Sequence, residues 1–130
     1  MAYNLLYKLL GPHLISGSSL NMNFAYPKVA YNSGLTATAS GTVSTSLAIT
    51  ETVSQIDTVT TSGDGVLLPK ATVGSWFILI NNGSNPMTVF AAGGSTINGT
   101  AGATGVSQAN AKTALYVCAK AGAWFRLLSA

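Results

Sequence analysis

The chain has 130 residues, the length of a single domain, and only 7% of them are Asp, Glu, Lys or Arg, whereas an average globular domain has about 25%. No two of the six basic residues lie within one helical turn, which excludes the basic footprint of a nucleic-acid-binding protein. No apolar run approaches the roughly 18 residues of a membrane span, and Leu5–Leu10 lacks the flanks of a signal peptide. A surface with so few charges is expected to be covered by partners.

Residues 1–40 are predicted to form an extended amino-terminal arm. Residues 1–10 could form one or two turns of helix, which Gly11-Pro12 would end, and such a short helix is marginal in water unless it docks. The rest of the arm is rich in Gly, Ser, Asn and Pro, with widely spaced aromatic side chains. Large side chains at this spacing suit insertion into pockets on another surface. The alternative is that the segment wraps around its own β-domain.

Residues 41–130 are predicted to form one β-domain. Short runs rich in Thr, Val and Ile alternate with Gly-containing turns, which is typical of strands rather than helices. The runs before the middle of the domain are Thr42–Ile49, Gln55–Thr60 and Val66–Leu68. No internal repeat is recognisable.

The strongest strand signal is Trp76–Ile80. Its continuous apolar run indicates a strand that is buried on both faces. Asn82-Gly83 then suggests positive φ angles and a hairpin turn, with Met87–Phe90 as the returning strand. Such a strand requires others to cover it.

The carboxyl-terminal part continues in the same manner. Asn98-Gly99 indicates another tight turn, Thr113–Cys118 a strand, and Trp124–Leu128 a final strand after the turn at Ala119–Gly122. The spacing of these segments predicts an all-β fold: a small antiparallel β-sandwich or barrel, jelly-roll-like, that carries the extended arm.

Residues that could support catalysis or metal binding are scarce. His13 is the only histidine, and Glu51, Asp57 and Asp64 are the only carboxylates, which are explained as turn and surface residues. Cys118 is the only cysteine, and a buried unreactive thiol is the simplest interpretation. The sequence therefore predicts no catalytic, cofactor-binding or metal-binding residues and a protein that is not an enzyme.

The two tryptophans could form an aromatic platform for a sugar. Trp76 and Trp124 each lie in an otherwise apolar strand, where packing in the core is the more common role. A lectin or a carbohydrate-processing enzyme therefore stays a minor alternative.

Four segments in a fixed order resemble a known family. They are Ile56–Pro69, Ile80–Phe90, Gly94–Gly99 and Ala114–Phe125. This series is similar to a β-domain of structural proteins in tailed-bacteriophage virions, especially head decoration (cement) proteins. The similarity covers about residues 54–128, and the amino-terminal region carries no motif of the family.

The resemblance implies a homotrimer that sits on the exterior of the capsid and clamps neighbouring subunits of the major capsid protein. It implies synthesis in the cytoplasm of the bacterial host, and neither an enzyme, a cofactor, nucleic acid nor a membrane is expected as part of this role. A capsid clamp binds through many shallow, uncharged contacts, and trimerisation strengthens their combined effect. The low charge content agrees with this, because interface cores are depleted of charged side chains. We expect the large side chains of the arm to anchor the protein to capsid subunits or adjacent trimers: Tyr3, Leu6, Tyr7, Leu10, Phe24, Tyr26 and Tyr31.

The main alternative is a tail-fibre or receptor-binding β-module of the same virion. Such a module would display loops such as Ala91–Ser95 and Gly99–Gly105 to a receptor. These loops hold few aromatic or charged side chains with which to achieve specificity, which favours the decoration protein.

Overall fold

A computed structural model describes residues 28–130 of the chain. The predictions for residues 1–27, including the short helix, fall outside the described residues. Between residues 28 and 130 the fold is all-β without a helix, which confirms the predicted class. The strands are β1 Tyr31–Thr36, β2 Leu47–Ala48, β3 Val53–Thr58, β4 Gly65–Leu68, β5 Trp76–Asn81, β6 Met87–Ala91, β7 Thr96–Ile97, β8 Thr100–Ala101, β9 Val106–Gln108, β10 Lys112–Lys120 and β11 Ala123–Leu128.

The first half of the fold is wound like a β-solenoid. The chain alternates between a seven-stranded sheet, ordered β1-β3-β5-β10-β11-β7-β8, and a four-stranded sheet, ordered β2-β4-β6-β9. Each of β3 to β6 lies parallel to the strand two positions earlier in the chain. The register places Tyr31 beside Val53 and Val53 beside Ile78 in successive rungs.

The predicted antiparallel sandwich or barrel is wrong in its topology, because the arrangement is solenoid-like. Short strands separated by Gly-rich turns occur in both architectures, so their spacing alone does not distinguish a hairpin from a rung. The rungs have no common sequence motif, which is why no repeat is visible in the sequence.

The predicted hairpin after β5 is also wrong. β5 and β6 belong to different sheets, and the segment between them carries the chain from one sheet to the other. Neither Asn82 nor Gly83 has a positive φ. Gly83 is needed for another reason: a Cβ atom there would lie 2.8 Å from the backbone nitrogen of Val59.

The carboxyl-terminal turns behave as predicted. Asn98 and Gly99 both have positive φ angles, 47° and 83°, and they join the antiparallel pair β7 and β8. β10 and β11 form the long antiparallel hairpin, with Gly122 in the turn at φ 77°. β10 also pairs antiparallel with β5 and thereby closes the solenoid rungs.

The core lies between the two sheets. Ile56, Leu79 and Trp124 from the larger sheet and Val66 and Val89 from the smaller sheet belong to one buried cluster. The ring of Phe77 meets that of Trp124 edge to face, with centroids 5.6 Å apart, and the Trp124 indole nitrogen donates to the Pro69 carbonyl at 3.1 Å. Cys118 is buried, as predicted.

A chain of buried polar side chains ties the end of the solenoid to β9 and β10. The Tyr116 hydroxyl donates to Oε1 of Gln108 at 3.1 Å, and Nε2 of Gln108 donates to the Leu79 carbonyl at 2.9 Å. Nδ2 of Asn81 donates to the Gln108 carbonyl at 3.0 Å. Burial raises the pKa of Tyr116 to about 12, so the phenol stays neutral. These bonds satisfy polar groups that would otherwise be costly in the core.

Val66→Ala is expected to lower the free energy of unfolding by about 2 kcal/mol, because Val66 is fully buried and the truncation leaves a cavity. Urea denaturation followed by circular dichroism measures the change. Val73→Ala is the matched control, since Val73 is 61% exposed and its substitution makes the same chemical change at the surface. Equal effects of the two substitutions would contradict the assigned core.

Candidate interaction surface

The outward side of the larger sheet carries a continuous apolar surface. Residues that pair in register lie on the same face, so a row of side chains crosses β1, β3, β5, β10 and β11. A second row crosses β5, β10 and β11, and Ile80 extends the surface along β5. We call this surface the outer apolar face; its members are Tyr31, Val53, Ile78, Leu115 and Leu127 in the first row, Trp76, Val117 and Phe125 in the second row, and Ile80.

The exposure of this face is unusual for large apolar side chains. Tyr31 is 73% exposed, Leu127 70%, Phe125 46%, Trp76 40% and Val117 38%. The other members are half-buried, and none of the side chains of the face carries a charge. Contiguous apolar patches of this kind mark sites of interaction in proteins.

Only one of the predicted anchor residues lies within the described residues. Tyr31 begins β1 and stands at the margin of the outer apolar face, where it is in register with Val53. Tyr3, Leu6, Tyr7, Leu10, Phe24 and Tyr26 lie outside the described residues. Tyr31 is therefore part of the folded sheet rather than of an extended arm.

The two tryptophans have different roles. Trp124 is fully buried in the core, as predicted, whereas Trp76 stands on the outer apolar face, so the prediction of core packing is wrong for Trp76. The sequence pattern predicts that β5 is buried on both faces. Within the described part of the chain, only the inward face of β5 is covered, by the core.

Sequence reasoning missed the other members of the face, most of which lie in β10 and β11. A signal was available: Leu115 and Val117 alternate with the buried residues Ala114, Tyr116 and Cys118. Alternation normally places polar residues on the outward side of such a strand. Apolar residues at both sets of positions indicate that the second face also has a partner.

A hydrogen-bonded carboxylate lies at one end of the face. Asp57 accepts bonds from Nδ2 of Asn82 at 2.6 Å, from Nε2 of Gln55 at 2.8 Å and from the Gly34 N–H at 2.6 Å. These donors, the Asn82 amide above all, hold the pKa of the Asp57 carboxyl below its usual value. The carboxylate thereby joins β1, β3 and the segment after β5.

No group of three His, Cys, Asp or Glu side chains that could hold a metal ion occurs within residues 28–130. No ligand-sized pocket occurs in this part of the chain either. The described residues contain no helix that is long and apolar enough to cross a membrane.

Comparison with known proteins adds no relative: no family model, no curated protein and no solved structure matches this chain.

Asp57→Asn is expected to remove an acid-dependent loss of stability. Because the folded-state pKa of Asp57 is lowered, its contribution is complete above the unfolded-state value of about 3.9 and is lost as the pH falls through the folded-state value. The melting temperature of the unmodified protein should therefore fall below about pH 4 more steeply than that of the variant. Parallel melting curves of the two proteins across this range would contradict the assignment.

Proposed function

We propose that this chain is a structural virion protein: a decoration (cement) protein of a tailed-bacteriophage head. It forms homotrimers on the exterior of the capsid and clamps neighbouring subunits of the major capsid protein. It acts by binding, without catalysis or a cofactor.

The observation that carries the proposal is the outer apolar face. A sheet that leaves Tyr31 and Leu127 more than two-thirds exposed is suited to a subunit that functions inside an assembly. The low charge content agrees, since the cores of protein interfaces are depleted of charged side chains. The resemblance over residues 54–128 indicates that this assembly is the capsid of a tailed bacteriophage.

The role of the amino-terminal arm belongs to the same proposal. The arm anchors are Tyr3, Leu6, Tyr7, Leu10, Phe24 and Tyr26, and Tyr31, the seventh predicted anchor, lies in the folded sheet on the outer apolar face. Lys8 is the only Lys, Arg, Asp or Glu residue in the first 27 residues, so the arm contacts are apolar and aromatic. A trimer presents three arms, and their combined effective concentration converts weak contacts into stable attachment.

The purified protein should bind phage heads that lack it, and the binding should be nearly independent of salt. Interfaces without charged contacts lose little affinity to screening, so we expect less than about a threefold change between 50 mM and 500 mM NaCl. Co-sedimentation of labelled protein with heads measures the affinity. The labelled protein is also mixed with whole virions. If it binds no part of the virion, the decoration role is refuted. If it binds only the tails, the decoration role is refuted and the receptor-binding module is favoured.

Removal of residues 1–27 should abolish head binding and leave the β-fold intact. The deletion stops there because β1 begins at Tyr31. Within the full chain, Phe24→Ser with Tyr26→Ser should weaken binding at least about tenfold, since buried aromatic anchors dominate interface energies. Asn21→Ser with Asn23→Ser is the matched control and should bind normally. Undiminished head binding by the truncated protein would refute the proposed role of the arm.

A further inference from the structure

We propose that three copies of this chain pack through their outer apolar faces around a threefold axis, with Ile78 nearest the axis and Leu127 at the edge of each face, where it meets the next copy. This interface deepens the proposed function and rests on it for the number of copies. It assigns contact between copies to one face of the sheet and leaves the arm and the remaining surface for the capsid.

The chemistry of the face favours a second copy over a partner that is met later. Permanent interfaces between copies resemble a domain core cut in half, whereas surfaces for transient partners are no more apolar than the rest of the protein. The rows from Tyr31 to Leu127 and from Trp76 to Phe125 are apolar throughout, whereas the next row, which contains Ile80, is polar at Gln55 and Thr113.

The size of the face is adequate for such an interface. A large apolar side chain exposes about 150–250 Å² when it is free, so exposed fractions between 38% and 73% sum to on the order of 600 Å² per copy. Specific interfaces bury about 800 Å² per partner. Residues around the face would supply the rest of the buried area.

The dimensions also suit three copies. The row from Tyr31 to Leu127 crosses neighbouring strands that are about 4.8 Å apart, which makes the face about 19 Å wide. A triangular prism with sides of about 19 Å has its axis about 5.5 Å from each side, close to half of the roughly 10 Å between packed sheets. Side chains from three such sheets would therefore fill the interior without a channel.

The sequence of β5 agrees with this packing. Trp76, Ile78 and Ile80 point away from the core, yet they are as apolar as the inward residues Phe77 and Leu79. Strands that read as continuous apolar runs are covered on both faces. Contact with other copies would provide the second cover.

The test is the mass of the full-length protein in solution, measured by light scattering after gel filtration. The unmodified protein should have three times the chain mass of 13.2 kDa, and Leu127→Asp should reduce it to a single chain. Val73→Asp is the matched control: Val73 is 61% exposed, lies in the loop before β5, and its variant should remain a trimer. Phe125→Asp is the second variant if Leu127→Asp fails to fold, as judged by circular dichroism.

Trp76 provides a second readout. Acrylamide quenching of tryptophan fluorescence should rise several-fold in Leu127→Asp, because Trp76 becomes accessible while Trp124 stays buried. Adding Trp76→Phe to Leu127→Asp should remove that rise. A dimer, or a trimer that survives Leu127→Asp (or Phe125→Asp, where Leu127→Asp fails to fold), would overturn the proposed packing.

Two further outcomes separate the interface from the function. If the unmodified protein is a monomer in which Trp76 is shielded from acrylamide, residues 1–27 cover the face. If the Leu127→Asp variant remains a trimer but no longer binds heads, the face contacts the capsid shell. Either result overturns the proposed interface between copies. A trimer that dissociates on Leu127→Asp but never binds heads supports the interface and refutes only the decoration role.

Discussion

The structure depends on what covers the two faces of each sheet. Winding between sheets buries one face of each against the other, and the shared cluster around Leu79, Val66 and Trp124 is the result. The same winding leaves the opposite face of the larger sheet without a cover from residues 28–130. Because apolar residues occupy that face as well, the chain is organised for burial on both sides of the larger sheet.

The buried polar side chains at the end of the solenoid are paired with one another and with the backbone. Asn81, Gln108 and Tyr116 are buried, and each is hydrogen-bonded to backbone or to another member of the group. Their bonds join the last solenoid rung to the strands that close it. An apolar contact could fill the same space, but it would not fix the register of β5, β9 and β10 so strictly, since hydrogen bonds are directional.

The all-β class and most strand positions could be predicted from local patterns, because strand propensity and turn chemistry are local properties. Asn98-Gly99 shows this well: a two-residue turn with positive φ needs little beyond those two residues. The partners of each strand could not be predicted. Asn82-Gly83 has the same composition, yet it carries the chain from one sheet to the other, and Val59, which is distant in sequence, leaves no room for a Cβ atom at Gly83. The outer apolar face was missed for the same reason, since it exists only once β1, β3, β5, β10 and β11 are adjacent.

The central position of β10 has a consequence for biosynthesis. β10 lies between β5 and β11 in the larger sheet, although it is the tenth of the eleven strands in the described part of the chain. The rungs formed by β1, β3 and β5 join residues far apart in sequence, and closing such loops is slow. The larger sheet therefore cannot be completed until β10 and β11 have been synthesised, and the local β10–β11 hairpin would then serve as the template that orders the earlier strands.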